Sequence, residues 1–153
     1  KCPLNISNIE REKFKNSLNL HEHQKVYFSS LTYSEKIKSK EAFININELE
    51  TDDFILVTGI ADSSYLVKFL KDRNLSFTHL KYKDHYNYNK PSIDKINRIS
   101  EGKYILTTEK DFGKLKLKLD SDKLFYIEVS LQFINNNNDL HFDQEIEKYV
   151  DGN

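Results

Sequence analysis

The chain has 153 residues, 38% of them hydrophobic and 31% charged, which gives enough apolar side chains for the core of one ordinary domain. Its 23 basic and 24 acidic side chains give a net charge of -1, which excludes a global positive field that would recruit nucleic acid or an anionic membrane. The lone cysteine, Cys2, excludes an intrachain disulfide framework, and no apolar run reaches the roughly 18 residues that a membrane-spanning helix requires. We therefore expect residues 1–153 to form a single, soluble, domain-like unit.

The first third of the chain predicts one helix followed by short strands. Apolar residues at helical spacing predict a helix over Ile6–Leu20. Ser7 is its candidate N-cap, and Glu10, three residues later, completes a capping box. Beyond this helix, the pattern predicts a strand, a polar loop and a second short strand, at Lys25–Tyr33, Ser34–Lys40 and Glu41–Ile46.

The middle of the chain alternates between strand and helix patterns. Phe54–Val57 is a continuous apolar run, typical of a strand buried on both faces. Asn89 and Pro91 are typical of a helix start, and Gly102 of a helix end. The predicted elements after the first buried strand are a helix, a strand, a second helix and a further strand, at Ser63–Arg73, Phe77–Tyr82, Lys90–Ser100 and Tyr104–Thr107.

The last third predicts a long strand over Lys123–Phe133, a polar loop over Asn135–Asn138 and a terminal helix over Asp143–Val150. Between the last two strands, Lys114–Leu119 alternates lysine with leucine. This segment fits an exposed edge strand guarded by its lysines, or a short amphipathic helix with Leu115 and Leu119 on one face.

The order strand, helix, strand, helix, strand predicts an α/β fold with a mainly parallel sheet flanked by helices. The four glycines build neither G-x-x-x-x-G-K-[ST] nor G-x-G-x-x-G, so the chain alone lacks a recognised phosphate-binding loop. His21 and His23 are two residues apart, but no second pair at ligand spacing accompanies them, and we predict no metal site.

Three polar clusters follow predicted strands, where ligands of open α/β sheets bind. Thr58 and Gly59 follow the first buried strand and lead into a helix N-terminus, where free N–H groups favour an anion. The other two clusters follow later strands: Asp84-His85 and Thr107-Thr108-Glu109-Lys110-Asp111. We expect all three to converge on one edge of the sheet.

Each cluster also has a purely structural interpretation: a tight turn at Gly59, a loop ion pair between Asp84 and His85, and a capped helix start at Thr108. The stretch Lys81–Lys90 mixes lysine with tyrosine. A loop of this composition can bind a sugar phosphate or a single-stranded nucleic acid, or it can simply be a solvated loop. The residues alone therefore lead to an α/β domain with one candidate edge.

Together the clusters resemble a known family. Phe54–Ala61, then Asp84-His85 before an aromatic residue and a capped helix, then Thr107–Asp111, are similar in order and spacing to the C-terminal half of tetraacyldisaccharide 4'-kinases of the lipid A pathway. The resemblance covers essentially the whole chain and about half of the family's length. Two shorter stretches are similar to family members from Bacteroidetes-like bacteria, Lys1–Pro3 and Gln24–Ser29.

The resemblance implies transfer of the γ-phosphate of ATP, with Mg²⁺, to the 4'-hydroxyl of a tetraacyldisaccharide 1-phosphate lipid. It implies a P-loop NTPase-like α/β fold at the cytoplasmic face of the inner membrane, and no nucleic-acid partner. In the family, the Walker A loop, the Mg²⁺-binding acidic residues and the membrane-anchoring helix belong to the N-terminal half. We therefore expect this chain to be a C-terminal portion that is inactive alone, with ATP and Mg²⁺ bound mainly by the other half.

The resemblance also implies residue roles. His85 matches a histidine that, with a carboxylate from the N-terminal half, helps remove the proton from the attacking sugar hydroxyl. Asp84 is expected to orient it. The residues expected to bind substrate are Thr58, Gly59, Thr108, Glu109, Lys110 and Asp111, with Lys110 contacting phosphate or organising the edge, and Glu109 and Asp111 as its partners.

Two departures from the family pattern stand beside these roles. Many members have a second histidine where this chain has Tyr86, so this chain lacks the histidine doublet and keeps a single base. Many members continue Ala-Val after the last cluster, where this chain has Phe112 and Gly113. Gly113 weakens a helix start by about 1 kcal/mol relative to alanine.

Two other functions remain open. One is a non-enzymatic α/β module that binds a sugar phosphate or a protein partner through Lys81–Lys90, and it predicts saturable binding without a missing half. The other is a transferase of nucleotide-activated sugars that uses the turn at Thr58 and Gly59 for a diphosphate. It predicts nucleotide-sugar binding without a Walker A loop.

Overall fold

The computed structural model describes residues 2–49, 54–119, 122–134 and 139–151. The helices and strands follow one another along these ranges as α1 Asn8–Ser17, β1 Ser29–Lys38, β2 Phe43–Asn45, a 3-10 turn Ile46–Leu49, β3 Phe54–Thr58, α2 Ser64–Lys71, β4 Phe77–Lys81, α3 Lys90–Ser100, β5 Ile105–Thr108, α4 Glu109–Leu115, β6 Leu124–Phe133 and α5 Asp139–Asp151.

The strands form one six-stranded sheet in the order β2-β1-β6-β5-β3-β4. β3 pairs in parallel with both β4 and β5, and β5 pairs in parallel with β6. β1 and β2 form an antiparallel pair at one edge. The predicted α/β fold with a mainly parallel sheet is therefore confirmed.

The chain divides into two compact units, with boundaries that fall inside β1 and β6. The larger unit is Tyr33–Val129 and contains β2 to β5 with α2, α3 and α4. The smaller unit combines Lys1–Thr32 with Ser130–Asn153 and contains α1 and α5. None of the helices in the described ranges is long and apolar enough to cross a membrane.

The core of the larger unit lies on both faces of the sheet, because β3 is buried along its whole length. Successive side chains of a strand point to opposite faces, and the two sets of β3 residues accordingly join different clusters. Leu56 packs in a cluster with residues of α2, and Val57 packs in a cluster with residues of α3. The continuous apolar run of the sequence thus has the two-sided burial that it predicted.

The cap residues at the two ends of α3 allowed its bounds to be predicted from the sequence. The helix has the bounds Lys90–Ser100 that the sequence predicts, and the Asn89 side chain accepts a hydrogen bond from the Ser92 N–H at 3.1 Å. Pro91 occupies the first turn, where its missing N–H costs nothing. The chain leaves the helix through Glu101 in a left-handed conformation, directly before Gly102.

The predicted loop at Ser34–Lys40 is wrong, because β1 continues to Lys38. Ile37 is fully buried in the core of the larger unit and pairs with Ile44 of β2. Lys38 forms an ion pair with Glu128 at 2.7 Å. These long-range contacts hold a polar segment in a strand that its local composition does not favour. The strand also begins at Ser29, later than the predicted Lys25.

The edge-strand alternative for Lys114–Leu119 is also wrong. α4 occupies Glu109–Leu115, and the Leu119 N–H still donates to the Leu115 carbonyl at 2.8 Å. Leu115 and Leu119 are both buried. The amphipathic helix prediction therefore holds for the leucines, which lie on one buried face.

The two terminal helices differ from prediction in length. α1 is shorter than predicted, at Asn8–Ser17, and the predicted capping box between Ser7 and Glu10 is present. α5 is longer, at Asp139–Asp151. The predicted loop at Asn135–Asn138 lies outside the described residues.

Candidate functional site

Three parallel strands end at the same edge of the sheet. Thr58 at the end of β3 pairs with Lys81 at the end of β4, and Val57 pairs with Thr107 of β5. The segments that follow these strands, residues 58–64, 81–89 and 107–111, therefore lie side by side, and we call them the rim. The rim contains all three polar clusters that the sequence predicts would converge.

The first part of the rim is a buried connection that we call the β3–β5 joint, formed by Gly59, Thr108 and Asp111. Asp111 is fully buried. Its Oδ2 accepts hydrogen bonds from the Gly59 N–H at 2.7 Å and from the Thr108 hydroxyl at 2.9 Å. Thr108 is also the N-cap of α4, since its oxygen accepts from the Asp111 N–H at 3.2 Å. One carboxyl group thus ties the ends of two strands together.

Position 59 leaves little room for a side chain, because two neighbouring side chains approach the Gly59 backbone closely. A Cβ atom on Gly59 would lie 2.9 Å from Asp111 Oδ1 and 2.9 Å from the Tyr88 hydroxyl oxygen. Both of these oxygens are buried, and the two groups interact with each other. Burial, and next the adjacent Asp111 carboxyl group, raise the pKa of Tyr88, so its hydroxyl keeps its proton.

The Thr58 side chain is also enclosed by neighbouring residues. It is fully buried, and its hydroxyl lies 2.9 Å from His79 Nε2. Burial, with a smaller effect of the Lys81 charge, lowers the pKa of His79. The pairing of Thr58 with His79 was missed by sequence reasoning. The parallel register of β3 and β4 pairs His79 with Leu56 and so places it diagonally across from Thr58. The local sequence does not show this register.

The second part of the rim is exposed, and we call it the Asp84-His85-Lys110 cluster. Asp84 Oδ1 accepts from the His85 N–H at 2.9 Å and from Lys110 Nζ at 3.1 Å. His85 Nε2 lies 3.3 Å from Lys110 Nζ and 3.8 Å from Asp84 Oδ2. The hydrogen bond from Lys110, and next that from the His85 backbone, lower the pKa of Asp84.

The exposed cluster places the imidazole of His85 next to an ammonium group. An ammonium group only donates hydrogen bonds, so the contact with Lys110 is a hydrogen bond only in a tautomer whose Nε2 atom accepts. His85 also has a backbone φ of 56°, a left-handed value that is uncommon outside glycine. An exposed imidazole beside an ammonium group can accept a proton or contact an anionic group.

Glu109 does not join the cluster. Among the described residues it makes no hydrogen bond or ion pair, and its charge contributes only weakly to a raised pKa of Lys38. The predicted partnership of Lys110 with Glu109 is therefore absent from the geometry, and Asp84 takes that place. Asp111, the other expected partner, is turned into the β3–β5 joint.

The tyrosines of the rim pack on one another. The rings of Tyr82 and Tyr86 lie 4.7 Å apart, and each lies 5.2 to 5.3 Å from the ring of Tyr88. Tyr88 is fully buried. This packing reduces the aromatic surface that Lys81–Lys90 offers for stacking a base or a sugar.

Two further lysines contact the same loop and were missed by sequence reasoning. Lys114 Nζ donates to the Tyr86 carbonyl at 3.0 Å, and Lys118 Nζ donates to the Tyr88 carbonyl at 2.6 Å. The signal was present as the four-residue spacing of Lys110, Lys114 and Lys118. Across the described ranges, no three His, Cys, Asp or Glu side chains are grouped as ligands for a metal ion.

Comparison with known proteins places this chain in a family. The family model described as tetraacyldisaccharide-1-P 4'-kinase matches residues 4–150. The tetraacyldisaccharide 4'-kinase of Flavobacterium psychrophilum is 36% identical over 153 residues, which are 99% of this chain and 43% of that protein. The Flavobacterium johnsoniae protein of the same name is 29% identical over 100% of this chain and 44% of its own length. The chain thus spans less than half the length of the curated relatives it matches.

A solved structure agrees in fold. A crystal structure of LpxK from Aquifex aeolicus in complex with ATP superimposes with a TM-score of 0.56 and 17% identity, over 85% of this chain and 38% of that one. The sequence matches and the shared α/β sheet lead to one conclusion. The chain belongs to the tetraacyldisaccharide-1-P 4'-kinase family.

Proposed function

We propose that this chain is the C-terminal portion of an ATP-dependent kinase that phosphorylates the 4'-hydroxyl of a tetraacyldisaccharide 1-phosphate in lipid A biosynthesis. The observation that carries the proposal is the exposed Asp84-His85-Lys110 cluster at the carboxyl ends of parallel strands, within a match to the family over residues 4–150. The corresponding location is the cytoplasmic face of the bacterial inner membrane.

His85 is the proposed general base. Its side chain is exposed, as a group that accepts a proton from a substrate hydroxyl must be. As the sugar oxygen attacks the γ-phosphorus, its proton passes to the imidazole of His85, and ADP leaves with the electron pair of the broken P–O bond. Asp84 orients His85 by accepting its backbone N–H, and Lys110 holds Asp84 in place.

The other rim residues divide by exposure. Glu109 and Lys110 are exposed and Thr108 is half-buried, and these three are the proposed direct contacts of the substrate, with Lys110 next to a phosphate oxygen. Thr58, Gly59 and Asp111 are buried, and we propose that they act on substrate by shaping the backbone beneath it. Phosphoryl transfer relies mostly on such positioning and on charge neutralisation.

We assign the phosphates of ATP and Mg²⁺ to the remainder of the kinase. The glycines of this chain build no phosphate-binding loop, and its described residues offer no group of three metal ligands. Bound Mg²⁺ would neutralise phosphate charge during transfer. For this reason we expect the isolated chain to be inactive.

The test is His85→Ala in the complete kinase. Because a general base contributes about 10²-fold to 10⁴-fold, kcat should fall at least about 10²-fold. His23→Ala, which alters an exposed histidine in the smaller unit, serves as the control and should leave kcat unchanged. An unchanged kcat with a reduced soluble yield would assign His85 a structural role. ATP-dependent phosphorylation by the isolated chain would refute the assignment of ATP to the other half.

A further inference from the structure

The loop that carries His85 is held by a row of three lysines. Lys110, Lys114 and Lys118 are four residues apart and lie on one face of α4 and the helical turn that extends it to Leu119. We call them the lysine row. Their Nζ atoms contact the loop at Asp84 Oδ1 (3.1 Å), the Tyr86 carbonyl (3.0 Å), Asn87 Oδ1 (3.0 Å) and the Tyr88 carbonyl (2.6 Å).

This loop needs support from outside itself. Residues 82–89 between β4 and α3 belong to no helix or strand, and His85 has a left-handed backbone conformation. A non-glycine residue keeps such a conformation only when surrounding contacts impose it. Hydrogen bonds from an ammonium group to a carbonyl are stronger than neutral ones, and they anchor the chain directly after His85.

The lysine row and the tyrosines support different parts of the loop. The rings of Tyr82, Tyr86 and Tyr88 pack together and anchor its side chains in the core. Lys114 and Lys118 instead fix the backbone carbonyls of Tyr86 and Tyr88. Loss of these two lysines should therefore leave the tyrosines packed and the loop attached, while the backbone next to His85 gains freedom.

We propose that Lys114 and Lys118 are positioning residues for His85. By fixing the two carbonyls from α4, they set where the imidazole stands relative to Lys110 and to a reacting hydroxyl. Neither lysine touches the reacting atoms. The predicted effect on catalysis rests on the proposed kinase function, whereas the predicted effect on the loop does not.

The first arm of the test is the double variant Lys114→Met, Lys118→Met in the complete kinase. Because misplacement of a reacting group by about 1 Å costs up to about 10²-fold in rate, kcat should fall about tenfold while KM for ATP stays the same. Lys116→Met is the matched control, since Lys116 lies on the same segment but over the Phe112 ring, 5.6 Å from its centroid. Arginine at positions 114 and 118 keeps the donors and should restore much of kcat.

The second arm needs no activity. Backbone and histidine-ring NMR signals of the 153-residue chain are compared with and without the two substitutions. We expect the amide signals of residues 83–87 and the His85 ring signals to shift and broaden, with those of α3 unchanged. If the double variant loses signal dispersion throughout, the single variant Lys114→Met is measured in its place.

The outcomes separate the two ideas. Unchanged loop signals and unchanged kcat overturn the positioning role, and so does an equal loss of kcat in Lys116→Met. If the unmodified complete protein phosphorylates no lipid disaccharide while the loop signals still respond, the proposed function fails and the positioning of His85 by the lysines stands.

Discussion

Two parts of the rim lie next to each other and are built on opposite principles. In the β3–β5 joint, Asp111 is fully buried and receives hydrogen bonds from Gly59 and Thr108. In the Asp84-His85-Lys110 cluster, the side chain of His85 is 78% exposed, and its partners are about 40% exposed. One part keeps its polar groups from water and the other presents them to it.

The difference separates stability from reactivity. A hydrogen bond between buried groups is costly to break, because the partner left behind cannot turn to water. An exposed ion pair contributes about 0–1 kcal/mol, because water and salt screen it. Substitutions in the joint should therefore lower the free energy of unfolding, and substitutions in the exposed cluster should alter chemistry with little effect on stability.

Among the substitutions in the rim, we expect Asp111→Ala to lower the stability of the chain most. The change leaves the buried Gly59 N–H without a partner and removes the tie between β3 and β5. We expect the free energy of unfolding to fall by about 2–3 kcal/mol, measured by urea denaturation of the 153-residue chain. Asp84→Ala, in the exposed cluster, should change it by less than about 1 kcal/mol.

Asp111→Asn is the matched control for the buried carboxyl group. The amide keeps an oxygen that can accept the Gly59 N–H, so this variant should retain most of the stability that Asp111→Ala loses. Equal losses in the alanine and asparagine variants would show that charge matters more than the hydrogen bond. An Asp111→Ala chain as stable as the original would show that the β3–β5 joint does not contribute to stability.

A smaller effect is expected from adding one methyl group at Gly59. Its Cβ would meet Asp111 Oδ1 and the Tyr88 hydroxyl at 2.9 Å each, so Gly59→Ala should cost about 1–2 kcal/mol through forced movement of these groups. Gly113→Ala makes the same chemical change in α4, where nothing lies within 4 Å. Since alanine favours a helix, that control should gain about 0.5–1 kcal/mol.

Thermal and urea denaturation of both glycine variants test this pair directly. Opposite signs are the expected result, because the two glycines differ in surroundings and not in chemistry. A Gly59→Ala chain that is as stable as the original would show that the joint yields to a methyl group at little cost.

The sequence predicted those parts of the fold whose signals are local. The apolar run at Phe54–Val57 marked a central strand, and Asn89 with Pro91 marked the start of α3. It failed at Ser34–Lys40, because the strand there depends on the burial of Ile37 and on pairing with β2. Such contacts link distant parts of the chain and leave no periodic pattern in a short polar segment.

For the site, the sequence predicted which segments meet but not how each side chain is used. The order of strands was enough to bring Asp84 and Lys110 to one edge. It did not reveal that Asp111 turns inward and Lys110 outward, because adjacent helical positions point in different directions. The resemblance to the kinase family supplied the role of His85, and that role remains a proposal.

A still smaller effect is a pH dependence of stability carried by His79 of β4, whose Nε2 lies 2.9 Å from the Thr58 hydroxyl oxygen. Burial lowers the pKa of His79 below its ordinary value of 6.5, so the folded chain binds this proton less readily than the unfolded chain. The contribution of His79 to stability is then complete above pH 6.5 and is lost as the pH falls through its lower, folded pKa. We expect the free energy of unfolding to decrease between pH 7.5 and pH 5.5, and His79→Gln to flatten that decrease because glutamine does not titrate.

His23→Gln, an exposed change in the smaller unit, should keep the original slope of stability against pH. If His79→Gln also keeps the original slope, protonation of the imidazole costs the folded chain nothing. The contact with Thr58 then behaves like the contacts of the exposed cluster and not like those of the buried joint.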